Sequence, residues 1–232
     1  IDPCQLLMQL PKDTENQTPL ASLIQYRTID IPEMKVVLNN PNIDLDKFHD
    51  NFLHDFLHVA NAPPYILCEY QGNPFNGIFA YLRTLCHDNP DTAGLVHLEA
   101  SSTQVSSVHV ILNYTSNNYF GTRDLSDQWI RFHFLHHKVS LSGYSYQTHN
   151  INANGHTQSW KLEGSIDGIN WTIIHEMRNS SVLAQLNAVY TTDFPSTPFY
   201  SLFKMTQTGP NTLGYNNFRV AHIEFFGKIE EL

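Results

Sequence analysis

The sequence predicts a mainly β protein, an antiparallel jelly-roll sandwich preceded by a small helical segment, and three observations support this. Only 15% of the 232 residues are charged, while 41% are hydrophobic and 12% aromatic, so much of the polar surface must come from Asn, Ser, Thr and Gln. After residue 95, apolar and polar residues alternate in short runs, which is the period of a half-buried strand. Gly, Asn, Ser and Pro separate these runs, as turns do between antiparallel strands.

Residues 1–70 form the predicted helical or irregular segment, and its clearest element is a helix over 44–60. Asp44 is a suitable N-cap residue for this helix. Pro63 and Pro64 end it, because proline disfavours continuation of a helix. One face of the predicted helix is apolar at helical spacing and consists of Leu45, Phe48, Phe52, Phe56 and Val59.

The predicted sandwich occupies residues 71–232 and opens with a short helix over 75–85. Ile78, Phe79 and Leu82 would form the apolar side of this helix. Strands are then predicted by alternation at 96–100, 130–134, 139–146, 160–164, 171–173, 199–205 and 219–226. The parity of the apolar residues changes at Gly143, and a one-residue shift of this kind predicts a β-bulge.

The same strand pattern predicts where three tryptophans and an Asp-Gly pair lie in the fold. Trp160 and Trp171 share parity with apolar neighbours and are predicted to lie in the core, whereas Trp129 is placed there less firmly. Asp167 raises two alternatives, an acidic ligand or part of a turn. Because Asp167-Gly168 lies between two predicted strands, and Asp-Gly is a strong turn signal, we expect a turn.

Several strings resemble the discoidin domain, also called coagulation factor 5/8 type C, which has a galactose-binding-like fold. They are QWIRFHF at 128–134, KVSLSGYS at 138–145, SWKLEGS at 159–165 followed by Asp167-Gly168 and Trp171, and IEFFG at 223–227. The resemblance covers about residues 74–229. It implies an eight-stranded jelly roll whose loops at one end bind glycans, phospholipid headgroups or proteins, and it implies no catalysis.

The resemblance also bears on localisation, and we expect an intracellular protein. Extracellular members of the family usually join their ends by a disulfide, whereas Cys86 is the lone cysteine of the predicted sandwich. The stretch PFNGIFAYL at 74–82 is similar to a lead-in of intracellular protist proteins that carry BTB and BACK modules before this domain. Asn-x-Ser/Thr sequons point the other way and lie at Asn16, Asn113, Asn170 and Asn179.

Catalysis and metal binding are disfavoured, so no enzyme activity and no cofactor are expected. His54 and His58 are spaced as in a zinc helix but lie opposite its apolar face, which favours a solvated surface. A cluster of three histidines, His133, His136 and His137, could hold a metal ion, and a metal-dependent hydrolase is therefore one hypothesis for function. A polar turn is the simpler interpretation of this cluster. A net charge of −9 without a basic stripe disfavours nucleic acid and anionic lipid as partners.

Two polar loops, 113–127 and 149–156, are the predicted places of function, because binding residues concentrate on loops. The candidate contact residues are Tyr119, Phe120, Arg123, His149, Asn150 and His156. An alternative for Tyr119 and Phe120 is that they plug the end of the sandwich. The leading hypothesis is a non-enzymatic module that binds a protein partner in an intracellular adaptor or a cytoskeletal or ciliary assembly. The alternative is a carbohydrate- or lipid-binding domain of lectin type.

Overall fold

The structure is a computed structural model and describes residues 64–151 and 155–232. The helix predicted over 44–60, with His54 and His58, lies outside the described residues. Within the described ranges, no helix is both long enough and apolar enough to span a bilayer.

Antiparallel strands make up most of the described chain. In order, the elements are β1 (Ile66–Cys68), α1 (Ile78–Cys86), β2 (Val96–Ala100), a 3₁₀ helix (Val108–Leu112), β3 (Phe120–Gly121), β4 (Trp129–Phe134), β5 (His137–Gln147), β6 (Trp160–Ser165), β7 (Thr172–Met177), β8 (Val189–Asp193), β9 (Leu202–Gln207), β10 (Arg219–Val220) and β11 (His222–Glu231). One sheet has the order β1-β11-β5-β8, a second has the order β2-β4-β9-β6-β7, and β10 pairs with β3. The predicted antiparallel β-sandwich is therefore confirmed.

The core lies between the two main sheets and is filled by alternate residues of each strand. In β4, for example, Ile130, Phe132 and Phe134 are fully buried, while the residues between them are partly exposed. This alternation is what the sequence predicted, because successive side chains of a strand point to opposite faces. Helix α1 covers the same core, since the Phe79 ring packs against the rings of Phe132 and Phe225.

The chain joins the sandwich earlier than predicted. Ile66–Cys68, within the segment assigned as helical or irregular, pairs with the last strand, and Ile66 lies opposite Ile229. A three-residue edge strand is too short to show a readable alternation, so its pairing is set by the partner strand rather than by local sequence. The compact unit that contains the sandwich spans Pro64–Leu232.

The bulge predicted near Gly143 is present. Phe226 pairs with Gly143, and the next residue, Gly227, pairs with Leu141, so that Ser142 is left over in β5. The bulge allows Leu141 on one side and Tyr144 on the other to point into the same core. Gly143 is required by a close approach, because an added Cβ would lie 2.5 Å from the carbonyl oxygen of Thr192.

The predicted core position of Trp171, which shares strand parity with Ile173, is wrong, whereas that of Trp160 is confirmed. Trp160 is fully buried, but Ile173 is 54% exposed. The Trp171 ring is only half-buried, and the Lys204 ammonium lies 4.1 Å from its centroid. The reason is a second bulge, in β7, which leaves Ile174 unpaired and packed against the core.

Candidate functional site

The long connections of the sandwich meet at one end. Strands β4, β6 and β11 begin at this end, and β2, β5, β7 and β9 finish there, as their antiparallel pairing requires. The segments 101–128, 148–151, 155–159, 178–188 and 208–218 therefore lie at the same end. The described parts of both predicted functional loops are among these segments.

A pocket of about 270 Å³ opens at this loop end. Its described lining is made of aromatic rings, amides and hydroxyls: Phe75, Tyr114, Thr115, Ser116, Asn117, Asn118, Gln147, Asn150, Asn187, Ala221 and His222. None of these residues is an aspartate, glutamate, lysine or arginine. We call this cavity the amide pocket.

Three rings contact one another in the amide pocket, and His222 meets Phe75 and Tyr114 edge-on, whereas those two rings are tilted by 39°. The Phe75 and Tyr114 centroids are 5.1 Å apart, and each lies 5.6 Å from the His222 ring. His222 is 6% exposed, and its Nδ1 atom has no hydrogen-bond partner among the described residues. Burial lowers the pKa of His222 below its ordinary value, so the ring is neutral at pH 7.

A buried carboxylate holds Tyr114 in place. The Tyr114 hydroxyl donates to the backbone oxygen of Ile223 at 2.8 Å and lies 3.0 Å from Glu224 Oε2. Burial, followed by the nearby Glu224 carboxyl, raises the pKa of Tyr114. The phenol therefore remains protonated, and its ring has a fixed orientation.

Of the six predicted contact residues, only Asn150 lines the amide pocket. His149 and His156 are buried beside it, and the Tyr119 ring lies 5.0 Å from the His149 ring. These three residues form one cluster, which the sequence placed on two separate loops.

Phe120 and Arg123 do not join the other candidates. Phe120 is fully buried in the core, so the expectation that it contacts a ligand is wrong, and the alternative that it plugs the sandwich fits its position. Arg123 is exposed, but it is not among the residues that line the amide pocket.

The fold separates the other histidine candidates, and the Cys86 thiol is engaged locally. His133 lies on β4 of the five-stranded sheet, whereas His137 begins β5 of the four-stranded sheet and is buried. Over 64–151 and 155–232, no three His, Cys, Asp or Glu side chains are grouped so that they could hold a metal ion. The Cys86 thiol donates to the backbone oxygen of Asp88 at 3.1 Å, within its own turn.

Five further residues line the amide pocket but were not predicted as candidates from the sequence: Phe75, Tyr114, Gln147, Asn187 and His222. Gln147 is the last residue of β5 and His222 is the first residue of β11, so both lie where a strand meets the loop end. A polar residue at the end of a predicted strand could have indicated each of these two positions. To place the two residues in one site, however, the order of the strands in the sheet must be known.

Comparisons with known proteins reveal similar solved structures. The sequence matches no family model, and no curated protein matches it. CpGH89CBM32-5 from Clostridium perfringens, in complex with GalNAc-β-1,3-galactose, is 18% identical, with a TM-score of 0.49 over 58% of this chain and 96% of that chain. The family 32 carbohydrate-binding module of NanJ from the same species, in complex with galactose, is 15% identical, with a TM-score of 0.47 over 59% and 95%. Chitosan-binding module 1 from a Paenibacillus chitosanase/glucanase is 15% identical, with a TM-score of 0.45 over 57% and 96%.

Proposed function

We propose that the chain is a non-enzymatic carbohydrate-binding module that holds a neutral sugar in the amide pocket. The observation that carries this proposal is the combination of an aromatic cluster with neutral amides and hydroxyls in one small cavity at the loop end. The discoidin resemblance implies ligand binding by loops at one end of the sandwich, and the polar loops predicted to carry function contribute to this end.

The chemistry of this lining suits a sugar ring. A sugar presents C–H groups, which pack on aromatic surfaces, and hydroxyls, which both donate and accept hydrogen bonds. Asn and Gln side chains also do both, whereas a charged lining would favour an ionic ligand. A volume of about 270 Å³ lies just below the range of about 300–1,000 Å³ of pockets for drug-sized ligands, so it suits roughly one sugar ring.

His222 adds a specific polar contact. Its Nδ1 atom is buried without a partner in the described part of the chain, and a buried polar atom in this state costs free energy. A ligand hydroxyl that reached this nitrogen would remove that cost. We therefore expect one hydroxyl of the sugar to point towards His222.

The hypothesis of a protein partner in an intracellular adaptor or a cytoskeletal or ciliary assembly stays a prediction. A protein interface usually buries about 800 Å² on each side, and its energy is concentrated in large aromatic or arginine anchors. The amide pocket is small and concave, its described lining contains no arginine, and amides and hydroxyls surround its few rings. It therefore favours a sugar as its occupant.

A glycan array followed by calorimetry tests the proposal. At pH 7.4 we expect binding of neutral glycans, and Asn150→Ala or Gln147→Ala to weaken the best of them by about 3- to 10-fold each, the value of one neutral hydrogen bond of about 1 kcal/mol. Gln104→Ala is the matched control, because Gln104 is exposed and does not line the pocket. An array without any neutral glycan hit, or equal affinities in all three variants, would contradict the proposal.

A further inference from the structure

Two buried histidines stack beside the amide pocket. The ring centroids of His149 and His156 are 4.7 Å apart with an angle of 18° between the planes, and each residue is only 1% exposed. In the described part of the chain, none of their four ring nitrogens makes a hydrogen bond of good geometry. We call this pair the histidine stack.

The surroundings of the histidine stack oppose a positive charge. Arg219 of β10 acts on both rings, Tyr119 contributes an uncharged ring from the segment before β3, and no described carboxylate acts on either histidine. Burial and then the charges of His156 and Arg219 lower the pKa of His149 to about 4, although the backbone at Ile151 and Gly155 acts in the opposite direction. Burial and Arg219 also lower the pKa of His156.

The stack is joined directly to the rim of the amide pocket. The backbone oxygen of His149 accepts a hydrogen bond from the backbone N–H of Asn187 at 3.2 Å. Asn187 lines the pocket, and so does Asn150, the residue that follows His149. Displacement of His149 would therefore move two of the amides on which sugar binding depends.

We propose that the histidine stack is an acid-sensitive latch, which keeps the rim of the amide pocket in place at neutral pH and releases the bound sugar when the pH falls. The identity of the ligand rests on the proposed function. The latch itself is a property of the ligand-free protein and can be measured without a sugar.

The direction of the pH effect follows from linkage. A histidine exposed by opening of the latch has an ordinary pKa of about 6.5, whereas the stacked form is populated mainly with neutral rings. The contribution of His149 to the stacked form is therefore complete above pH 6.5 and is lost as the pH falls from 6.5 towards 4, and the lowered pKa of His156 acts in the same direction. Each histidine changes the ratio of open to stacked forms by up to about tenfold per pH unit in this window.

Amide hydrogen exchange of the ligand-free, full-length protein tests the latch. From pH 7 to pH 5 we expect the protection factors at Thr148 and Asn187, whose N–H groups donate to the backbone oxygens of Ala188 and His149, to fall by at least about tenfold after correction for intrinsic exchange rates. In the double variant His149→Phe/His156→Phe they should stay constant, because phenylalanine keeps a stacking ring and cannot bind a proton. Each single variant should show a smaller fall, which keeps the test valid if the double variant does not fold. His136→Phe is the control, since His136 is exposed at the opposite end of the sandwich.

Calorimetry with the best neutral glycan tests the coupling to the pocket. Between pH 7 and pH 5 we expect the wild-type affinity to fall by at least about tenfold and that of the double variant to fall less. His222 and Glu224 titrate near the pocket in both proteins, so the difference between them isolates the stack. If the protection factors of the wild type do not change between pH 7 and pH 5, the latch is overturned. If they fall but glycan affinity depends on pH equally in the wild type and the double variant, the coupling of the latch to the pocket is overturned. Absence of glycan binding at every pH overturns the proposed function, while hydrogen exchange still decides on the latch.

Discussion

At the scale of single residues, Asp167 is explained completely by its own turn. Its Oδ1 atom accepts hydrogen bonds from the backbone N–H groups of Ile169 and Asn170, both at 2.8 Å, and from the Ser165 hydroxyl at 3.1 Å. These donors, with the Asn170 backbone as the largest contribution, lower the pKa of Asp167. The carboxylate therefore shapes the connection between β6 and β7 and is not directed towards a ligand.

Gly168, the next residue, has φ = +72°, a backbone conformation that costs other L-residues about 1–2 kcal/mol. We expect Gly168→Val to lower the free energy of unfolding by at least about this amount, because valine is β-branched. Urea unfolding followed by tryptophan fluorescence measures the change. Gly168→Asn is the control with a smaller expected loss, since asparagine tolerates this conformation. Equal stability of the valine variant and the wild type would show that the turn relaxes.

At the scale of elements, helix α1 depends on a side chain from the last strand. Its N-cap residue, Gly77, offers no side chain, but Glu224 of β11 accepts hydrogen bonds from the backbone N–H groups of Phe79 at 2.8 Å and Ala80 at 3.0 Å. Burial raises the pKa of Glu224 to about 7, against the effect of these backbone donors. The cap thus links the helix, the sheet and Tyr114 of the amide pocket.

The raised pKa of Glu224 predicts a pH-dependent stability difference. Its folded-state pKa lies above the unfolded value, so its contribution to stability is complete below about pH 4.5 and is lost as the pH rises towards 7. Glutamine cannot ionise. The unfolding free energy of the wild type minus that of Glu224→Gln should therefore fall by up to about 1.4 kcal/mol per pH unit over this window.

Urea unfolding of both proteins at pH 5, 6, 7 and 8 measures this difference, and the other titrating groups cancel in the comparison. A difference that does not change with pH would mean that the backbone donors keep Glu224 ionised throughout.

At the scale of the whole molecule, hydrogen bonds cross the interior and hold the two sheets together. Trp160 of β6 donates from Nε1 to the Tyr144 hydroxyl of β5 at 2.7 Å, and both side chains are fully buried. The Tyr144 hydroxyl also lies 3.0 Å from His175 Nδ1 of β7. These contacts fix the two sheets in one relative position, which apolar packing alone specifies less strictly.

Trp160→Phe should lower the free energy of unfolding by about 2–4 kcal/mol, because it removes the hydrogen bond from Nε1 and leaves a cavity. Chemical denaturation measures the loss. Trp171→Phe is the matched control with an expected change below about 1.5 kcal/mol, since Trp171 lies half-buried on the outer face. Similar losses in the two variants would contradict the importance of the interior contact.

Much of this fold could be predicted from local patterns. The alternation in β4, the apolar side of α1 and the bulge at Gly143 all appear in a few neighbouring residues. The strand β1 and the exposure of Ile173 could not be predicted, because one depends on pairing with a distant strand and the other on an unpaired residue in β7.

The candidate site was less predictable than the fold. The loops were chosen for their polarity, which selected Asn150, a residue that lines the amide pocket, but polarity says nothing about depth, so the buried Phe120 was selected as well. Phe75, Tyr114 and His222 come from three distant parts of the sequence, and only the folded topology brings their rings together.

The pairing of β1 with β11 determines how the described unit responds to mechanical force. Because these neighbouring strands are antiparallel, residues 64 and 232 lie at the same end of the sandwich, opposite the amide pocket. Tension applied between these two residues would open the hydrogen bonds of β1 one after another, as in unzipping, instead of loading them together in shear. The first strand to detach would be β1, which is short and largely exposed. The end that carries residues 64 and 232 would therefore open first, while the amide pocket at the other end keeps its shape.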